Sequence, residues 1–213
     1  MFDYSLAHWA AFLSAAVLLN IAPGPDMAFI LGQTVRGGVR RGFAAMLGVW
    51  VGVFGHITMA ALGISALLAA SAVAFSIVTW VGAAYLIGLG LRALWTAGDS
   101  LPEATAGPAE DGSQGRAFRT GVLINLLNPK VALFFLAFLP QFVEPGAGPT
   151  WAQLMLHGGL IVAIAALVEP PLVLAGGRMT AALRGRRAVV RWLDRGLGAL
   201  FLGLGIRLAT SSR

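Results

Sequence analysis

The stretch NIAPGPDMAFI, residues 20–30, decides the fold. It lies inside an apolar run that is otherwise long enough to cross a bilayer. Pro23 and Pro25 each remove a backbone donor, and Gly24 loosens the chain between them. Asp26 adds a charge at the same point. Unsatisfied backbone at membrane depth survives only where protein or a water-filled cavity surrounds it. The first apolar span is therefore expected to be discontinuous, with its break turned toward the interior. Pro25 suits the first position of the following half-helix. Asp26 then falls in its first turn, where the helix dipole favours a carboxylate.

The rest of the chain supports a membrane setting. Of 213 residues, 58% are hydrophobic and only 11% charged; a soluble domain carries roughly 25% charged residues. Apolar runs of about 20 residues, enough for one crossing, recur along the chain. Cysteine is absent, which excludes disulfides and thiolate metal sites. The net charge of +6 does not imply nucleic acid, because the arginines sit in short stretches between apolar runs. The N-terminus, MFDYSLAHW, lacks the basic segment of a signal peptide, so its apolar stretch is expected to stay as a first span.

Six spans are expected: Leu6 to Leu31, Phe43 to Leu68, Ala72 to Leu94, Phe118 to Phe142, Trp151 to Leu174 and Val190 to Thr210. Residues 98–116 form a Gly-, Pro- and acid-rich central loop. The last span is short between Arg195 and Arg207, so a five-span arrangement is the alternative. Arg36, Arg40 and Arg41, then Arg92, Arg116 and Arg119, then Arg178, Arg184, Arg186, Arg187, Arg191 and Arg195 occupy alternate connections. The positive-inside rule places those connections in the cytoplasm and both termini outside.

The fourth span repeats the device of the first. Asn128 is a good N-cap, Pro129 a good first residue, and Lys130 lies in the first turn. YLIGLGLRAL from Tyr85 also recurs as LFLGLGIRLA from Leu200, in the same order relative to the breaks. Three spans per half would insert the second half upside down, giving a 3+3 inverted repeat: residues 1–97, the cytoplasmic loop 98–116, and residues 117–213. The fold class is all-α integral membrane, about six transmembrane helices, with helices 1 and 4 broken. In such repeats the solute site lies at the repeat interface near the midplane. Gly48 and Gly52, Ala84 and Gly88, and Ala199 and Gly203 are small-xxx-small pairs expected to bring helices close together.

Candidate binding residues cluster at the breaks: Asn20, Pro23, Gly24, Pro25 and Asp26 on one side, and Asn125, Asn128, Pro129 and Lys130 on the other. Lys130, the only lysine, opposes its own helix dipole. A lone ammonium there costs roughly 2.5 to 3.5 kcal/mol even on the lenient insertion scale. Asp26 or a solute carboxylate would neutralise it. The plainer reading is a structural Asp26–Lys130 pair holding two kinked helices in a non-transporting scaffold or sensor component. Asp26, Glu169 and His56 are the proton-coupling candidates. Glu169 is equally read as a hydrated interfacial group, and His56 as a packed, hydrogen-bonded histidine. His8 and His157 are expected at the outer interface, and the tryptophans, Trp50 among them, near span ends. No nucleophile–base pair, phosphate loop or metal-ligand cluster appears, so no enzyme, cofactor or metal is expected.

NIAPGPD together with LLNPKVALFFLAFLPQFV, residues 126–143, resembles the LysE/RhtB family of amino-acid exporters. The resemblance spans nearly the whole chain and includes the central polar loop and the GLGxR string. It maps onto Pro23, Gly24, Pro25 and Asp26, then Asn128, Pro129 and Lys130, then Pro140, Gln141 and Phe142. It gives no support to His56 or Glu169. It implies a multi-pass protein of the bacterial cytoplasmic membrane that exports amino acids on the proton or ion gradient. The partners implied are an amino acid and membrane lipid; a homo-oligomer is left open.

Overall fold

The computed structural model describes residues 4–21, 24–97, 113–185 and 187–211. Pro23, Arg186, Arg213 and most of the central loop lie outside the described residues. The side chains of Pro25, Pro129, Lys130, Arg178, Arg184 and Arg187 also lie outside them.

Among the described residues the chain is helical throughout, without strands. The helices are α1 (Leu6–Ile21), α2 (Pro25–Ala70), α3 (Ala72–Trp95), α4 (Gln114–Leu126), α5 (Pro129–Phe138), α6 (Thr150–Gly185) and α7 (Arg187–Ser211), with a 3-10 turn at Leu139–Phe142. Three segments are long and apolar enough to cross a membrane: Asp26–Ala66, Ser76–Trp95 and Thr150–Gly176. Their outer faces carry Val51, Phe54, Met59, Leu62, Ile77, Val81 and Leu167, all exposed on the protein surface. Apolar faces of this extent on helices long enough to span mark a contact with lipid or with another protein. The protein is an all-α membrane protein. The last helix, α7, carries Arg191, Asp194, Arg195 and Arg207 and is not among the three apolar segments.

Three helices are too short to span alone. At 1.5 Å per residue α1 reaches about 24 Å, α4 about 20 Å and α5 about 15 Å, against a hydrocarbon core of about 30 Å. Each has one end at a proline element. Helix α1 ends at Ile21 and α2 starts at Pro25; α4 ends at Leu126 and α5 starts at Pro129. Gly24 O accepts from Ala28 N at 2.9 Å, and Asn128 O accepts from Val131 N and Ala132 N at 3.1 and 3.2 Å. Each new helix thus begins where the proline makes its missing donor harmless.

The expected loop between the first two spans is a single residue. Helical hydrogen bonding runs from Pro25 to Ala70, interrupted only at Gly38, with φ 77° and ψ 176°. That conformation is open to glycine almost alone. Arg41 Nε donates across the turn to Gln33 Oε1 at 2.6 Å. The sequence reading placed a loop here because three arginines interrupt the apolar pattern, yet long arginine stems suit a helix well. At the other end of the central loop α4 begins earlier than Phe118, with Ser113 as N-cap to Arg116 N.

Helix α2 packs against α4 and α6, and α3 against α7. The α2–α4 contact depends on missing side chains. A Cβ on Gly48 would strike the Phe118 carbonyl, one on Gly121 would lie 2.6 Å from Ala45 O, and one on Gly52 would lie 2.7 Å from Asn125 Cβ. The Gly48/Gly52 pair therefore does what its spacing suggested. The other two pairs do not. Ala84, Gly88, Ala199 and Gly203 face outward, and α3 meets α7 through Gly90, Gly198 and Gly205. The correction is a rotation of the helix face, which spacing alone does not set.

Candidate functional site

The breaks open onto one cavity of about 200 Å³. Its polar lining comes from Asn20 at the end of α1, Gly24 and Asp26 at the start of α2, Asn128 at the second break, and Glu169 of α6. The remaining wall is apolar: Val49 and Val53 of α2, Val131, Phe134 and Phe135 of α5, Ile161, Val162 and Ala165 of α6, and Leu197 and Phe201 of α7.

Three of these polar groups, Asn20, Asp26 and Glu169, are held by a second element. Asn20 Nδ2 donates to Ala16 O at 2.8 Å and to Ile161 O at 3.3 Å, tying the end of α1 to α6. Asn125 does not line the cavity but stands behind it, wholly buried. Its Nδ2 donates to Asp26 Oδ2 at 2.9 Å, so the two breaks are bridged by a direct hydrogen bond. A hydrogen bond to a carboxylate is worth about 1.5 to 3 kcal/mol. This bridge joins the candidates of the two halves. Whether Lys130 also reaches Asp26 lies outside the described residues.

His56 sits away from the cavity. It is buried, its Nε2 donates to Asn125 O at 2.9 Å, and its ring lies parallel to Phe135. The Asn125 carbonyl belongs to the last turn of α4, where it accepts from Asn128 N at 3.0 Å and has a second lone pair open to another helix. His56 therefore caps the end of α4 from α2.

Glu169 lines the cavity and accepts from Trp50 Nε1 at 2.7 Å. Trp50 is a residue that sequence reasoning misplaced. It was assigned to an interfacial belt, but it lies inside, forming cavity wall and fixing the carboxylate of another helix. The signal was its position eight residues into the second expected span, beyond the interfacial depth where a tryptophan finds headgroups. Asp194 of α7, buried at 4% exposure, was passed over entirely.

His157 is packed inside the protein at 1% exposure. Its Nε2 meets His8 Nε2 at 2.8 Å, and His8 Nδ1 meets Glu144 Oε1 at 2.8 Å. Tyr4, ahead of α1, donates to Gln153 Oε1 at 3.0 Å. Its burial, and secondarily the nearby Glu144 charge, push the phenol pKa up, so it remains a donor.

Among the described residues no group of three or more histidine or acidic side chains is placed to hold a metal ion. The arrangement can seat a small solute with polar and apolar parts: one end meets carboxylates, amides and helix starts, the other meets aromatic and aliphatic side chains.

The family model for LysE type translocators matches residues 17–212. An uncharacterized membrane protein of Pseudomonas aeruginosa is 35% identical over 203 residues, covering 94% of each chain. The homoserine/homoserine lactone efflux protein of Salmonella typhi is 31% identical, covering 95% of this chain and 96% of its own. The leucine efflux protein of an Enterobacter species is 28% identical, covering 98% of both. No solved structure matches. The match runs through both helix breaks and every helix lining the cavity, and on that ground the chain belongs to the LysE type translocators, membrane transporters and not enzymes.

Proposed function

We propose that this protein exports amino acids from the cytoplasm, taking those that are neutral and carry apolar side chains. The observation that carries the proposal is the cavity itself. It lies where two helices break, it is smaller than the roughly 300 Å³ at which drug-sized pockets begin, and a purely structural scaffold has no use for it. The solute's ammonium would meet Asp26 and Glu169, and its carboxylate would meet Lys130 and the first amides of the half-helices. Asn20 and Asn128 would orient it, and Val49, Val53, Phe134 and Phe201 would take the side chain. Pro23, Pro25 and Pro129 act through the backbone, by keeping the breaks open.

The two breaks are the pivots of a 3+3 inverted repeat in this account. Residues 1–97 and 117–213 would rock against each other across the Asp26–Asn125 bridge, alternating access to the site. Packing supports the symmetry: α4 lies on α2, while α6 lies on α1 and α2, and α3 pairs with its counterpart α7. Asp26 and Glu169 are the groups that would exchange the solute for protons. His56, committed to the Asn125 carbonyl, serves the frame. The arginine-bearing ends meet at one end of the bundle, since Gly42 lies against Val173, Gly48 against Phe118 and Gly198 against Leu94. That end would face the cytoplasm.

The test is efflux from cells preloaded with a panel of amino acids, with and without the protein and an uncoupler. Selective, uncoupler-sensitive efflux of apolar amino acids is the expected result. Absence of selective efflux from a folded, membrane-inserted protein would refute it.

A further inference from the structure

A run of ring contacts leads from the cavity wall on the side away from the arginines. Phe134, in the cavity wall, lies 4.9 Å from Phe138, which lies 5.0 Å from Phe142; Phe142 lies 5.1 Å from Phe12 of α1. Phe12 in turn meets the ring of His157 at 4.7 Å. Beyond the stack stands the polar cluster of His8, His157 and Glu144.

The hydrogen-bond chemistry of that cluster allows few proton counts. Gln153 O only accepts, so His157 Nδ1, at 2.8 Å from it, carries a hydrogen. For a neutral His157, Nε2 is then an acceptor, and His8 Nε2 must donate to it. His8 Nδ1 faces the Glu144 carboxylate and donates as well. The chain of contacts closes with His8 as imidazolium, His157 neutral and Glu144 ionised, or with the same single proton on Glu144. A second proton on the free oxygen of Glu144 leaves these contacts intact, whereas one on His157 Nε2 breaks them. Two N–H groups and two positive charges would then face each other across 2.8 Å, and the contact cannot survive.

We propose that His8, His157 and Glu144 form a proton-operated latch on the outer gate of the transport path. Acid outside opens it by protonating His157. The groups packed against the pair are Tyr4, Trp9 and Phe12 from the N-terminal side, Phe142 of the 3-10 turn, Glu144, and Gln153 of α6. Of the described residues in contact, Tyr4 and Glu144 are the other titratable groups. Exposure is graded from water inward: the Glu144 side chain is 42% exposed and that of His8 6%. A proton from outside therefore has a short route. Glu144 is itself anchored, because Gln153 accepts from Glu144 N at 2.9 Å and donates to Glu144 O and Gly148 O at 3.0 and 2.8 Å. The piece free to leave is α1, a half-helix whose far end carries Asn20 into the cavity. Opening the latch would thus move both the ring stack and a binding residue.

The latch's purpose rests on the exporter reading, but its readout does not. The chain has no cysteine, so Ala165→Cys supplies a single thiol in the cavity wall. Right-side-out vesicles are labelled with a membrane-impermeant maleimide, and each value is divided by labelling of the SDS-unfolded chain at the same pH. Lowering external pH from about 8 to about 5, the range in which histidine titrates, should raise normalised labelling. The rise should be on the order of tenfold per pH unit where the added proton binds the open form only. With His157→Gln, which still accepts from His8 but does not titrate, labelling should stay low throughout. With Glu144→Gln, whose amide can donate to His8 Nδ1 as a protonated Glu144 does, labelling should stay low at about pH 8. A pH-independent response in the A165C chain, a rise retained in H157Q, or labelling of E144Q already raised at about pH 8 would each overturn the latch. A chain that labels as expected yet exports no amino acid would refute the exporter and keep the latch.

Discussion

Asn125→Ala separates a working site from a structural strut. The change removes the Nδ2 donor to Asp26 Oδ2 at 2.9 Å but leaves the backbone carbonyl that His56 caps. A hydrogen bond to a carboxylate contributes about 1.5 to 3 kcal/mol. The same amide also carries a cost. Asn125 Oδ1 is buried with no hydrogen-bond partner among the described residues, and such an atom is worth about 1 to 3 kcal/mol of destabilisation. Removing the side chain removes both terms, so folding stability should change by about 2 kcal/mol or less. Transport should not be spared. If the bridge sets the geometry of Asp26 for the solute, the lost 1.5 to 3 kcal/mol appears in the barrier, a fall of about tenfold to about a hundredfold in efflux rate. Stability is read from thermal unfolding in detergent, and transport from initial efflux per folded molecule in proteoliposomes. A loss of stability of several kcal/mol with normal efflux from the surviving protein would refute the reasoning and favour the strut.

Trp50→Phe keeps a ring in the cavity wall but deletes the donor to Glu169, and efflux should fall by about tenfold or more; unchanged efflux would remove Glu169 from the site. Gly48→Ala forces a methyl onto the Phe118 carbonyl, a backbone atom that cannot swing aside; α2 and α4 should separate at a cost of about 1 to 3 kcal/mol, read as a lowered unfolding midpoint. Gly203→Ala, where a Cβ meets nothing within 4 Å, should be neutral or stabilise by up to about 1 kcal/mol. Gly38→Ala places a side chain at φ 77° and should destabilise by about 1 to 3 kcal/mol, while leaving the cavity itself intact.

Much of the site was legible because prolines and intramembrane charges are rare and have few explanations. The two proline elements gave the starts of α2 and α5 to the residue, and Asn20, Gly24, Asp26, Asn128 and Glu169 meet in one cavity. What was not legible depended on helix rotation and partners. Spacing places Ala84 and Gly88 on one face without saying which face meets α7. Trp50 resembles any other tryptophan in a sequence, and only the approach of α6 shows that its indole N–H has Glu169 within reach. His8, Glu144 and His157 are far apart in the chain, and each alone resembles an interfacial residue. The arginines around Gly38 signalled a loop by charge, whereas the backbone solved the reversal with one glycine.

In the proposed mechanism a solute binds at the charges beside the two breaks. Exchange of a labelled neutral amino acid, chosen from the efflux panel, across proteoliposomes bearing the wild type, Asp26→Asn or Lys130→Ala tests it most directly. Exchange should occur in the wild type and be nearly lost in both variants with their folding intact. Full-rate exchange by folded Asp26→Asn and Lys130→Ala would contradict it and move the site elsewhere.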